Sequence, residues 1–246
     1  MKIALCFSGQ LRNGRNIAPR WLNIINELRK EHQVYIFSHM WVPTFEPENI
    51  NKRCPGYESL TIQPDDWTWF VETYHPTKSH PERPQTFKNF GVILTEDNIK
   101  KCFSYGTQYS DFKENYINNS HSFWYSVYRA NLLKRLYELE NDFRYDLVIK
   151  SRYDTAPTKD ISTIFNSLEN EICYQELGQP DKMVSDWFLC GASRTIDMAC
   201  NLFNNWDQCY EWSMEYDGYW CNELLLKHQL LAHNIEPKPI DIGVQF

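Results

Sequence analysis

The sequence predicts an α/β fold with a mainly parallel central sheet flanked by helices, and three observations predict it. Lys2 to Phe7 is a short apolar run, and Gln33 to Ser38 is a second one. Between them Ile17, Trp21, Ile24, Ile25 and Leu28 recur at helical spacing, giving a helix over about 18–31. Strand, helix and strand joined by short connections form a βαβ unit, hence a parallel pair with a right-handed crossover. Next, Leu147, Val148 and Ile149 make a run too short for a helix and rich in β-branched residues, as expected of a strand buried on both faces. Finally, the same alternation continues to the end of the chain.

Each element has its local reason. Tyr125, Tyr128, Leu132, Leu136, Leu139 and Phe143 fall three and four apart, with Arg129, Lys134, Arg135 and Glu138 off that row. Asn119, Ser120 and Ser122 offer N-caps. This long helix leads into the strand at 147–149, whose polar exit Lys150-Ser151-Arg152-Tyr153-Asp154 is closed by Pro157. Glu171–Glu176 and Ser185–Gly191 read as strands, about 194–206 and 219–233 as helices, and Ile240–Val244 as a closing strand. Residues 42–118 are punctuated by proline, with one short helix expected at Asp65–Tyr74. The expected organisation is one domain over 1–246 carrying that Pro-rich irregular insertion, which would frame one side of a cleft.

Composition narrows the function classes. Charged residues are 23% and hydrophobic ones 42%, the proportions of a globular chain. A net charge of -7 without a long basic run argues against a general nucleic-acid binder. No apolar stretch approaches the roughly 18 residues that cross a bilayer, so no transmembrane segment is expected. The start, MKIALCFSGQLR, reads as a first strand rather than a leader. Eight cysteines without a CxxC pair read as reduced thiols, and the expected location is cytoplasmic.

In open α/β sheets ligands sit at the carboxyl ends of the strands, and the candidate site residues cluster there. Ser8, Gly9, Gln10 and Arg12 follow the first strand, where a glycine lets backbone approach a ligand and the next helix offers N–H groups to phosphate. The Gly9–Gly14 spacing matches a P-loop, but Arg15-Asn16 stands where Lys-Ser/Thr is required, which ranks a sulfotransferase or other phosphate-loop enzyme well behind as a third hypothesis. His39 ends the second strand, as a ligand contact or as a satisfied structural histidine. Arg152 and Asp154 end the 147–149 strand, gripping a phosphorylated ligand directly or through a metal, or pairing with each other. Asp186 is a general base for a hydroxyl or a cap, and Glu223 is a weaker candidate of the same type. His228 and His233 lack a ligand-spaced partner. Trp41, Tyr153 and Trp187 are candidate stacking rings, with core packing as the alternative.

SGQLR, IFSHMW, SFWYSVYRANLLKRLYE followed by YDLVIKSRYD, SDWFLCGASRTIDMAC and WCNELLLKHQLL occur in that order. With these pieces the chain resembles the bacterial and viral glycosyltransferases of Rossmann-like GT-A fold, particularly those of capsule and surface-polysaccharide biosynthesis. The resemblance implies transfer of a sugar from a nucleotide-sugar donor to a hydroxyl of a glycan acceptor. It implies Ser8, Gly9, Gln10, Arg12, His39, Arg152 and Asp154 on the donor, and Asp186, then Glu223, as the base. In that family a D-x-D motif binds the donor diphosphate through Mn²⁺ or Mg²⁺. Here Arg152-Tyr153-Asp154 stands in its place, so Asp154 alone remains to hold a divalent ion. The other course is that Arg152 meets the diphosphate itself. A non-catalytic nucleotide-sugar or glycan-binding domain on the same fold is the rival function.

Overall fold

The structure is a computed structural model, and it describes residues 1–43, 62–85, 87, 113–159, 161, 171–175 and 183–245. Most of the Pro-rich stretch lies outside the described residues. Among the described residues seven strands form one sheet. These are β1 (Lys2–Gly9), β2 (Gln33–Trp41), β3 (Lys78–Glu82), β4 (Leu147–Arg152), β6 (Glu171–Gln175), β7 (Phe188–Gly191) and β8 (Glu236–Ile240), in the order β3-β2-β1-β4-β7-β6-β8. A separate pair joins β5 (Ala156–Pro157) to β9 (Val244–Gln245). The helices are α1 (Gly14–Leu28), α2 (Asp66–Tyr74), α3 (Lys113–Glu140), α4 (Ser193–Cys200), α5 (Trp206–Tyr216) and α6 (Asn222–Ala232). This is the expected α/β class, a mostly parallel central sheet flanked by helices, and it is compatible with a Rossmann-like GT-A fold.

Side-chain alternation along the strands divides the core in two. Ile3, Leu5 and Phe7 of β1, with Leu147 and Ile149 of β4, pack against Ile17, Trp21 and Ile25 of α1 and Phe70 of α2. Ala4, Cys6 and Val148 face the other way, onto Trp124 and Val127 of α3, Ile196 of α4 and Leu225 of α6. Because both sheet faces are covered, β1 and β4 read as nearly continuous apolar runs.

Three expectations are corrected. The second strand, expected over Gln33–Ser38, runs on through His39, Met40 and Trp41. They pair with β1 on one side (Ser8↔His39) and with β3 on the other (His39↔His80). Strand β3 itself has no apolar alternation, and its Pro81 is tolerated because β3 is an edge strand. On α3 the buried row runs through Trp124, Val127, Ala130, Asn131, Lys134 and Glu138, while Leu136 and Leu139 are 42% and 77% exposed. Lys134 is tolerated inside because Glu138 lies at 3.1 Å, Asp197 at 2.8 Å, and Ser193 also accepts from its ammonium. Finally, the helix expected at 194–206 is α4 and a 3₁₀ turn (Asn201–Asn205), and α5 follows as a helix the sequence reading did not separate.

Strand β7 is antiparallel to both β4 and β6. Its first residue therefore lies at the edge where β1, β2 and β4 end, and Ser185-Asp186-Trp187 is delivered there. The six described cysteines are buried and form no disulfide with one another. No described helix is long and apolar enough to cross a membrane.

Candidate functional site

Three of the expected residues stand side by side across the carboxyl edge of the sheet, since Ser8 pairs with His39 on one side and with Arg152 on the other. Alternation turns all three toward the α3 face, the side of Ala4, Cys6 and Val148. The chain then leaves β1 through Gly9, whose φ of 105° suits glycine alone. Arg12 follows at φ 49°, a left-handed conformation that an arginine adopts only when its surroundings fix it. Helix α1 starts two residues later at Gly14. A Cβ there would lie 3.1 Å from the Tyr153 carbonyl oxygen, so the loop after β1 packs tightly on the loop after β4.

That packing brings Arg12 and Asp154 together from opposite ends of a 142-residue separation. Asp154 Oδ1 accepts from Arg152 Nε at 2.9 Å and Oδ2 from Arg152 Nη2 at 2.7 Å. Arg12 Nη1 reaches Oδ2 at 3.4 Å, and Arg12 Nε reaches Gln10 Oε1 at 3.4 Å. Burial works against a charge on Asp154, yet Arg152 and then Arg12 outweigh it and hold the carboxyl below its ordinary range. The pairing of Arg152 with Asp154 is thus realised, with Arg12 added to it.

Beside this cluster lies a second group of charges. Lys150 is wholly buried, donates to the Asp186 carbonyl oxygen, and lies 4.7 Å from the centre of the Phe123 ring. Burial pulls its pKa down to about 8, against the attraction of Asp186. Asp186 is 4% exposed, and its Oδ1 has no hydrogen-bond partner among the described residues. Burial raises its pKa, which Lys150 and Arg152 offset only in part. Glu223, in the first turn of α6, is raised to about 7 by burial and then by the charge of Asp186. The Asp186 charge repels a second negative charge on Glu223, so in this poorly solvated place Glu223 favours its protonated form up to about pH 7.

His39 is placed differently from a ligand contact. It is fully buried, with Nδ1 2.8 Å from Ser126 Oγ and Nε2 3.0 Å from Glu82 Oε2. Burial lowers its pKa to about 4 against the pull of Glu82, so the ring is neutral at pH 7. Ser126 Oγ in turn accepts the Gly9 amide at 2.7 Å. The chain Glu82–His39–Ser126–Gly9 ties β3, β2 and α3 to the turn after β1, and here His39 holds the backbone of the turn. Ser8 is buried too, and its hydroxyl has no hydrogen-bond partner among the described residues.

Sequence reasoning missed Glu82, Ser126 and the inward course of Lys150. Glu82 lies in a proline-broken edge strand and Ser126 in the middle of a helix, so neither carries a local signal. Of the candidate rings, Tyr153 stacks on Phe7 at 5.7 Å within the core and Trp41 stacks on Tyr125 at 5.6 Å. Trp187 is half-buried, with the Arg152 guanidinium 6.0 Å from its ring. His228 pairs with Asp217 at 2.7 Å beside a cavity of about 410 Å³ between α5 and α6.

A divalent ion at Asp154 was one of two courses left open by the sequence, the other being direct contact of Arg152 with the diphosphate. Both oxygens of that carboxylate receive guanidinium N–H groups, so an ion bound there would displace or oppose two positive charges. The donor set at Asp154 does not fit a resident cation, and no group of three or more His, Cys, Asp or Glu among the described residues is arranged to hold one.

No protein-family model matches the chain, and no curated protein matches it. Among solved structures, the galactosyltransferase LgtC, in complex with donor and acceptor sugar analogues, aligns over 94% of this chain and 70% of its own, at 9% identity and a TM-score of 0.36. Nothing about chemistry passes across a likeness of that size.

Proposed function

We propose that this chain is a glycosyltransferase that moves a sugar from a nucleotide-sugar donor to a hydroxyl of a glycan acceptor. The observation that carries this reading is the convergence of Arg12, Arg152 and Asp154 beside the carboxyls of Asp186 and Glu223, at the carboxyl ends of parallel strands. Transfer breaks the bond between the anomeric carbon and the phosphate oxygen, and the leaving nucleoside diphosphate gathers negative charge. Guanidinium groups aimed at that oxygen stabilise the transition state. The bond formed joins the anomeric carbon to the acceptor oxygen, whose proton passes to a carboxylate.

Asp186 is assigned as that base, because its Oδ1 is a buried acceptor that no described group occupies. Glu223 sets its charge, since the pair resists carrying two negative charges at once. Gln10 and Arg12 line the donor side, and the Gly9 turn held by Ser126 and His39 gives the backbone surface on which the donor rests. On this reading turnover rises with pH through about 7, as Glu223 loses its proton and its charge makes the Asp186 carboxylate a stronger base.

The test is to incubate the protein with a panel of UDP-, GDP-, ADP- and dTDP-sugars and glycan acceptors, and to follow release of the nucleoside diphosphate. Release with at least one donor, lost by about two orders of magnitude or more in Asp186→Asn, is expected. The occupation of Asp154 by two arginines favours a second reading, a non-catalytic nucleotide-sugar-binding domain. Binding of donors with no release from any of them supports that reading instead.

A further inference from the structure

We propose that, in the site assigned above to a nucleotide-sugar donor, two guanidinium groups hold the diphosphate without a divalent cation, and that Asp154 is the internal counter-charge that orients them. The inference rests on that donor assignment and concerns how the diphosphate is held.

The arrangement is layered. The side chains of Arg12 and Arg152 are 25% and 20% exposed, whereas that of Asp154 is 9% exposed. An anion approaching the carboxyl edge therefore meets the guanidinium heads first and the carboxylate behind them. A metal-binding aspartate needs the opposite order, with its oxygens outward and its cations behind. Asp154 spends both oxygens on the fork of Arg152 and shares one with Arg12. Its charge is held by these partners and needs no ion to stabilise it.

The arginines are also preorganised. Arg152 is fixed by its two bonds to Asp154 and by its place in the register row opposite Ser8. Arg12 is fixed by its left-handed backbone and by Gln10. Each guanidinium is planar and keeps its charge at every working pH, which suits it to an anion with several oxygens. A diphosphate offers several anionic oxygens in the spacing that such forks match. Buried Lys150 adds a third positive charge along the same strand as Arg152.

The experiment is isothermal titration of chelator-treated protein with UDP, GDP, CDP, ADP and dTDP, each in EDTA, in MgCl₂ and in MnCl₂. The expected result is that the best-binding nucleotide has a Kd that differs by less than tenfold between EDTA and either metal. A Kd improved tenfold or more by Mg²⁺ or Mn²⁺ overturns the inference and leaves the glycosyltransferase reading standing. Absence of binding to every nucleotide in all three buffers overturns the reading itself, and the inference with it. Arg152→Lys, with folding checked by circular dichroism, keeps the charge and removes the fork. A Kd in EDTA raised fivefold or more is expected, and a smaller change overturns the guanidinium's part.

Discussion

Replacing Glu223 by glutamine tests the carboxyl pair through stability, independently of any substrate. The carboxyl is raised from 4.5 to about 7 by burial and by the neighbouring Asp186. The folded state therefore binds this proton more tightly than the unfolded state does. Its stabilising contribution is fully present below about pH 4.5 and is lost as pH rises through about 7. A displacement of that size corresponds to on the order of 3 kcal/mol in full. Between about pH 5 and about pH 8 the portion that disappears is about 2.5 kcal/mol. Glutamine is neutral throughout, so Glu223→Gln gains on the wild type by that amount over this interval. Histidines and other groups titrate in both proteins and cancel in the difference. Urea unfolding at the two pH values measures it. With an m near 2.5 kcal/mol per M, the gap between the two midpoints moves by about 1 M. A gap that stays constant within about 0.5 kcal/mol would refute the argument that Asp186 and Glu223 compete for charge.

Further expectations concern the supports of the site. Lys134→Met leaves Glu138 and Asp197 without their buried cation, and a loss of about 3–5 kcal/mol is expected from urea unfolding. A loss under about 1 kcal/mol contradicts the buried network. Ser126→Ala removes the acceptor of the Gly9 amide and costs about 1–3 kcal/mol. It also weakens nucleotide binding severalfold in a fluorescence titration, and unchanged affinity separates the turn from the donor. Gly14→Ala would gain roughly 1 kcal/mol from helix propensity alone. The new Cβ would meet Leu11 Cδ1 at 2.7 Å and the Tyr153 carbonyl at 3.1 Å, so a net loss of about 1–3 kcal/mol is expected, read as a lower Tm. An unchanged or higher Tm shows that the loops after β1 and β4 are not pressed together.

The sequence made the two-sided strands and the chain order legible, and the reason is periodicity. β1 and β4 are buried on both faces, so their runs of apolar residues stand out, and Gly9 and Asp154 mark where they end. Periodicity fails where a partner decides the outcome. Lys134 and Glu138 look like a solvated face, yet the carboxylate of Asp197 and the hydroxyl of Ser193 turn them inward and leave Leu139 outside. His39 looks like a strand exit because nothing local announces β3, the edge strand that extends the sheet beside it. The site was legible as a set of strand ends. Its wiring was not, because Arg12 to Asp154, Gly9 to Ser126 and His39 to Glu82 are contacts between distant stretches that no spacing encodes.

A structure determined with a bound nucleoside diphosphate tests the placement of the donor most directly. The account predicts diphosphate oxygens within hydrogen-bonding distance of the guanidinium groups of Arg12 and Arg152, with the open side of the Asp186 carboxyl facing the position of the transferred sugar. A nucleotide seated anywhere else on the molecule, with Asp154 still closed against both arginines, would contradict it.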